Sequence, residues 1–222
     1  MKKNVLFFGY GDLGSRLSKI LNPSYIKLHA ISRNNKDNIK PNHIAWDWTS
    51  NAKPPIEKIY YDLIVIVPKP TEMNASGYQK GFIDSSNNIF NSIKDISFKK
   101  VIAISSTRVY GSDVSGVFDE NSDLNLKDFR AKIINSYENL LIKQYNKKVI
   151  ILRLAGLYSN TSKNIAPNRI HRDSAVKIIN FFFQNDFDKF ENCFFNCCEN
   201  DDDSLNSRKI SNKKLLNIGF KF

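Results

Sequence analysis

No stretch of this chain approaches the roughly 20 consecutive apolar residues that a membrane-spanning helix needs, although 41% of its 222 residues are hydrophobic. The opening Met1-Lys2-Lys3-Asn4 runs directly into an apolar strand rather than a signal sequence. A cytoplasmic protein with no membrane partner is therefore expected. Cysteine is scarce: the three residues Cys193, Cys197 and Cys198 lie within one short segment. With no second pair and no nearby histidine, the spacing fits no zinc pattern. The apolar run Cys193-Phe194-Phe195-Asn196-Cys197-Cys198 reads instead as a strand with thiols as small core residues. Histidine is equally thin, and His29, His43 and His171 stand too far apart to show metal-ligand spacing. Acidic residues are outnumbered 22 to 33 by Lys and Arg, which leaves a net charge of +11. The lysines are scattered in ones and twos and no nucleic-acid motif accompanies them, so neither nucleic acid nor a metal is expected. The acidic run Glu199, Asp201, Asp202 and Asp203 lacks EF-hand spacing. An excess of positive charge is, however, compatible with an anionic ligand such as a phosphorylated cofactor.

What the chain does have is a glycine turn placed early. Val5-Leu6-Phe7-Phe8-Gly9-Tyr10-Gly11-Asp12-Leu13-Gly14 reads as a buried strand, a turn and the first residues of a helix. In this pattern the first glycine permits the turn, the second lets the backbone approach a pyrophosphate, and the third lets helix and strand pack closely. The helix N-terminus adds free N–H groups and partial positive charge. Leu13, Leu17, Ile20 and Leu21 follow on one helical face. Gly9, Gly11, Asp12, Leu13 and Gly14 are accordingly candidate dinucleotide-binding residues.

Apolar runs alternate with amphipathic stretches through most of the chain, which predicts a Rossmann-type, doubly wound α/β fold with a mainly parallel sheet. Strands are expected near Val5–Phe8, Ile26–Ile31, Ile44–Trp46, Leu63–Val67, Val101–Ser105 and Val149–Leu152. Helices are expected near Leu13–Leu21, Asn74–Ile96, Asp128–Tyr145 and Asp173–Gln184, with Asp173 capping or opening the last. Residues 1–184 would form the NAD(P)-binding domain. Residues 185–222 would form a short C-terminal appendage packed on it. The second strand ends Ala30-Ile31-Ser32-Arg33-Asn34-Asn35-Lys36, with no acid to grip the ribose hydroxyls of NAD. Ser32, Arg33 and Lys36 suit the 2′-phosphate of NADP instead, so NADP(H) is favoured over NAD(H). Asp47, after the third strand, suits either a contact to the adenine amino group or a simple turn. Val67 and Pro68 at the end of the fourth strand and Ser105 at the end of the fifth complete the candidate cofactor set.

Four further segments carry a resemblance. Ser105-Ser106-Thr107-Arg108-Val109-Tyr110-Gly111 is similar to the loop after the fifth strand of the extended short-chain dehydrogenases/reductases, the sugar-nucleotide epimerases and dehydratases. Ile151-Leu152-Arg153-Leu154-Ala155-Gly156-Leu157-Tyr158 resembles their sixth strand. Asn168-Arg169-Ile170-His171-Arg172-Asp173 resembles the start of a late helix. Ser211-Asn212 through Gly219-Phe220 resembles their closing helix. The resemblance spans nearly the whole chain and implies that Ser106 orients a substrate oxygen. It also implies a homodimer through the long helices 74–96 and 128–145. The family's Tyr-x-x-x-Lys pair is missing: aligning Glu138 with the family's helix glutamate puts Arg130 at the tyrosine position and Ile134 at the lysine position. Arginine stays protonated and cannot replace a tyrosine in acid–base work. Tyr137 lies two helical turns further on, roughly 10 Å along the axis, too far to share an oxygen with Ser106. Only residues 159–167 stand where the family carries a helical insert for its substrate, and Pro167 occupies the position of a basic residue that contacts the diphosphate.

These residues point to an atypical member. One expectation is an oxidoreductase or epimerase-like enzyme acting on an unidentified small molecule, with Ser106 orienting the substrate and Arg130 stabilising negative charge on oxygen. The alternative is a non-catalytic, NADP(H)-sensing or regulatory protein.

Overall fold

A computed structural model describes residues 1–34, 42–50, 52–159, 167–185, 193–199 and 207–222. Lys36 and Asp201–Asp203 lie outside these. The chain begins with β1 (Lys3–Phe8), in which Val5, Leu6, Phe7 and Phe8 are all fully buried. A strand apolar on both faces must be covered on both, which is the situation of a central strand in a parallel sheet. Helix α1 (Asp12–Ile20) then leads to β2 (Ile26–Ser32) and β3 (Asn42–Ala45) on one side of β1. The chain crosses back to β4 (Tyr61–Ile66) on the other side of β1. The strand order therefore reverses between β1 and β4, and open α/β sheets bind ligands at such a switch point.

The expected long helix Asn74–Ile96 is built in three parts: α2 (Ala75–Tyr78), a π-helical segment Gln79–Asp84, and α3 (Ser85–Ile93). Periodicity could not register the wider middle turn. Gly81 lies in it, against the backbone of Lys69 and Pro70, where a Cβ atom would come within 2.2 Å of the Lys69 carbonyl oxygen. Next come β5 (Phe98–Ser106), a 3₁₀ turn Thr107–Tyr110, and β6 (Gly116–Phe118). Helix α4 (Phe129–Tyr145) is capped by Asp128, whose Oδ1 accepts from the N–H groups of Arg130 and Ala131. Strand β7 (Val149–Leu154) pairs with β5, and β8 (Gly156–Tyr158) pairs with β9 (Arg169–His171).

Helix α5 (Arg172–Gln184) packs against α1. Its N-cap is His171 rather than Asp173: the His171 Nδ1 accepts from the Asp173 N–H at 3.2 Å, and Asp173 sits in the first turn. Within 185–222, β10 (Phe194–Cys197) hydrogen-bonds to β7 as the edge strand of the main sheet. Cys197 and Cys198 are buried and Cys193 is half-buried. Strand β11 (Arg208–Ile210) pairs with β6, and α6 (Lys213–Asn217) follows. The main sheet runs β10-β7-β5-β4-β1-β2-β3, all parallel, which is the expected doubly wound Rossmann arrangement. Among the described residues no helix is long and apolar enough to cross a membrane.

Candidate functional site

The turn after β1 is fixed by its neighbours. Gly9 takes φ +87, and a Cβ there would lie 2.4 Å from the Val67 carbonyl oxygen and 3.2 Å from the Val67 Cβ. The N–H groups of Gly9 and Tyr10 donate to the Ile31 carbonyl at 3.0 and 2.9 Å, and Val67 N–H donates to Phe8 O at 3.0 Å. The turn is thus bound to the ends of both flanking strands. Gly14 serves a different purpose: a Cβ there would meet the rings of Tyr10 and Phe7 at 2.6 and 3.2 Å, so only glycine lets α1 lie this close. Around Gly11 there is open space, with the nearest atom 3.8 Å from a built Cβ. No side chain caps the start of α1.

Above this turn lies a cavity of about 490 Å³. Gly9, Gly11, Asp12 and Leu13 line it from the turn, Ser32 and Arg33 from the end of β2, and Val67 and Pro68 from the end of β4. Eight residues of the sequence-derived set therefore meet at one place. Arg33 is exposed and pairs with no carboxylate among the described residues. The Ser32 hydroxyl lies 2.8 Å from His43 Nε2, which ties β3 to the cavity wall. Asp47 is outside the lining. Its Oδ1 accepts from the Thr49 N–H at 2.9 Å and from the Thr49 hydroxyl at 2.7 Å, which is the geometry of an Asx turn. Burial works to raise the Asp47 pKa, but the Thr49 hydrogen bonds and the charges of Arg33 and Lys80 bring it below the ordinary value.

Six further lining residues lie outside the candidate set: Tyr10, Asn34, Trp48, Lys69, Leu157 and Arg172. The turn at Asp47 is what delivers the Trp48 ring. Arg172 Nη1 reaches Asp12 Oδ2 at 3.3 Å, while Arg16 bridges Asp12 at 3.1 Å and Asp173 at 2.5 Å. The Arg16 hydrogen bond, more than any opposing burial, holds the Asp173 carboxyl below the usual range. This network neutralises an acid at the start of α1, where it would otherwise oppose a bound phosphate. Asp12 near Arg16 is visible as an i, i+4 pair, but the arrival of Arg172 and Asp173 from α5 is a tertiary event.

Ser105 is buried away from the cavity. Its hydroxyl donates to Glu138 Oε1 at 2.6 Å, and Glu138 receives Arg153 at 3.0 Å (Nε to Oε1) and 2.8 Å (Nη2 to Oε2). Arg153 Nη1 donates to Tyr110 OH at 2.7 Å, and Tyr110 OH donates to Asn196 Oδ1 at 3.0 Å. The Arg153 guanidinium also lies 4.1 Å from the Phe194 ring centroid. One buried polar chain thus joins β5, the 3₁₀ turn, α4, β7 and β10.

Ser106 and Arg130 share no hydrogen bond. The Ser106 Oγ accepts from the Arg108 N–H at 3.2 Å. The Arg130 guanidinium lies against the Tyr78 and Phe129 rings, at 5.9 and 5.5 Å from their centroids. The two are linked through Arg108, whose Nε donates to Asp128 Oδ2 at 3.1 Å while Asp128 caps Arg130. Ile134 is buried, as is Tyr137, whose hydroxyl has no hydrogen-bond partner among the described residues and whose pKa burial pushes well up.

No protein-family profile and no curated protein matches the sequence. Solved structures do match in fold. Human epimerase family protein SDR39U1 (isoform 2) with NADPH superposes with a TM-score of 0.75 at 13% identity, covering 99% of this chain and 94% of its own. Glucuronic acid dehydrogenase from Chromohalobacter salexigens gives 0.74 at 12% identity, covering 99% and 84%. UDP-glucuronic acid 4-epimerase from Bacillus cereus in complex with NAD gives 0.69 at 15%, covering 89% and 78%. The chain has the fold of these epimerases and dehydrogenases.

Proposed function

We propose that the chain is an NAD(P)(H)-binding protein of the extended short-chain dehydrogenase/reductase superfamily, with NADP(H) as the preferred cofactor. The observation that carries this reading is the convergence of the glycine turn, the β2 end and the β4 end on one cavity at the point where the sheet order reverses. The residues fit the group: open space at Gly11 admits a pyrophosphate, the uncapped α1 N-terminus faces it, and Arg172 and Lys69 supply positive charge. Trp48 offers a ring for the adenine, and Arg33 with Ser32 offers donors for a 2′-phosphate. The Arg33→Ala variant tests the preference. It is expected to weaken NADPH about tenfold or more while changing NADH less than threefold, a discrimination of the size a charged hydrogen bond provides. Calorimetric titration of both cofactors checks it, and equal losses would remove the preference.

When bound, the nicotinamide supplies hydride chemistry. The residues at hand for the substrate are Ser106, which presents a hydroxyl at the start of the 3₁₀ turn, and the cationic side chains beside it. Ser106 orients a carbonyl or hydroxyl oxygen, and Arg130 offsets charge developing on oxygen. In an oxidoreductase or epimerase-like enzyme, Ser106→Ala and Arg130→Ala each lower turnover by about 10²-fold or more and leave cofactor affinity unchanged. A substrate screen followed by steady-state kinetics measures this. The second reading, a non-catalytic NADP(H)-sensing protein, is favoured by the Tyr78-packed Arg130 at the tyrosine position and the buried Ile134 at the lysine position. Under it, both variants keep cofactor binding and no screened substrate is turned over by the parent.

A further inference from the structure

Three arginines lie around the Ser106 turn: Arg108 in the turn, Arg130 at the start of α4, and Arg208 in β11. Among the described residues a single carboxylate, Asp128, pairs with any of them, and it takes Arg108. The other Asp128 oxygen is occupied by the backbone N–H groups of Arg130 and Ala131. Among the described residues Arg208 pairs with no acid. Its Nη2 donates to the Thr107 carbonyl, and its Nε is buried with no hydrogen-bond partner among the described residues.

The position of Arg208 is itself secured. Asn168, held at φ +54, donates its Nδ2 to Arg208 O at 2.7 Å and accepts at Oδ1 from Ile210 N–H at 2.9 Å. The side chain is thus braced against the loop that carries Ser106. Burial and the neighbouring Arg108 charge both pull the Arg208 pKa down, as expected of a half-buried cation facing another cation without a counter-charge. A guanidinium carries five donors in a fork that matches an oxyanion. Neither Arg108 nor Arg208 lines the cavity assigned to the cofactor.

We propose that Arg108 and Arg208 form an anion site beside Ser106 that takes the carboxylate or phosphate group of a small acidic substrate. The inference rests on the reading that Ser106 faces the substrate, and it adds the chemical class of that substrate. The missing counter-charge at Arg208 is what the substrate's oxyanion supplies.

The test uses the full chain and two probes, inorganic phosphate and succinate, titrated calorimetrically with and without saturating NADPH. Either anion is expected to bind when NADPH is present, and to bind at least tenfold more weakly in both Arg108→Gln and Arg208→Gln. Arg33→Ala is expected to leave that binding in place. Phosphate acting alone identifies a phosphorylated substrate, and succinate acting alone a carboxylate. Thermal unfolding of each variant is recorded in parallel. If Arg208→Gln does not fold, Arg208→Lys, which keeps charge but loses the fork, and the half-exposed Arg108→Gln decide the matter. Failure of both anions to bind the parent overturns the proposal. So does binding that survives in the Gln variants but is lost in Arg33→Ala, because the anion then belongs to the cofactor cavity. If NADPH does not bind while the Arg108 and Arg208 effects stand, the cofactor reading fails and the anion site remains.

Discussion

The Gly9→Ala variant is expected to lose NADPH binding by at least tenfold and to melt at a lower temperature than the parent. Two independent effects act at this position. An L-residue at φ +87 carries a penalty of roughly 1–2 kcal/mol. In addition, the new Cβ would sit 2.4 Å from the Val67 carbonyl oxygen, which is backbone and cannot swing aside. The turn and the β4 end must therefore separate, and both line the cavity. With about 2–4 °C per kcal/mol for a chain of this size, a fall of several degrees is expected. Gly11→Ala is the informative partner. Its Cβ meets nothing closer than 3.8 Å, so the melting temperature should barely move, while the methyl group occupies the space a pyrophosphate needs. Calorimetry and thermal denaturation on the two variants separate the roles: Gly9 makes the turn and Gly11 admits the ligand. Full NADPH affinity in Gly11→Ala would mean that the pyrophosphate does not sit on this turn.

The second large effect is expected away from the cavity. Glu138→Leu alone leaves the Arg153 guanidinium buried without its carboxylate and removes the acceptor of Ser105. Breaking one side of a buried pair costs about 3–5 kcal/mol, much of the stability of an ordinary domain. Arg153→Met should cost a similar amount, because it strands Glu138 and removes the Tyr110 contact. The double variant should lose much less than the two costs together, since two apolar side chains of similar volume leave no unpaired charge behind. Urea denaturation of the four proteins gives the coupling. Additive losses would show that the two side chains act independently, contrary to their 2.8 Å contact. For Arg153 the balance is visible in its acidity: burial pulls the pKa down, but the Glu138 hydrogen bonds and charge raise it above the ordinary value.

These two sites differ in how far the sequence revealed them. The glycine turn is local: its residues are consecutive and their spacing encodes the strand-to-helix turn. Its two flanking partners, Ser32-Arg33 and Val67-Pro68, could also be found, because each follows a run of apolar residues that can only be a parallel strand. The Glu138–Arg153 pair could not be read the same way. Glu138 served to align a helix and Arg153 stood inside a strand, and nothing in either segment says that their charges neutralise one another. Ser105 illustrates the same gap, since its place at a strand end suggested the cavity while its hydroxyl turns to Glu138.

The sequence by itself determined the alternation of strand and helix, the order of the elements, the glycine turn and the absence of the Tyr-x-x-x-Lys pair. All of these depend on periodicity or on residues close together in the chain. Only the tertiary structure decided the π-helical turn at Gln79–Asp84, the place of β10 in the main sheet, and the approach of Trp48 and Arg172 to the cavity. It also decided that Asp47 closes a turn and that Arg208 lies within reach of the Arg108 charge with no counter-charge among the described residues. The physical reason is that charge compensation and close packing join residues distant in sequence. Their energies depend on burial and separation, which are set only when the sheet has assembled and its loops have closed over one edge.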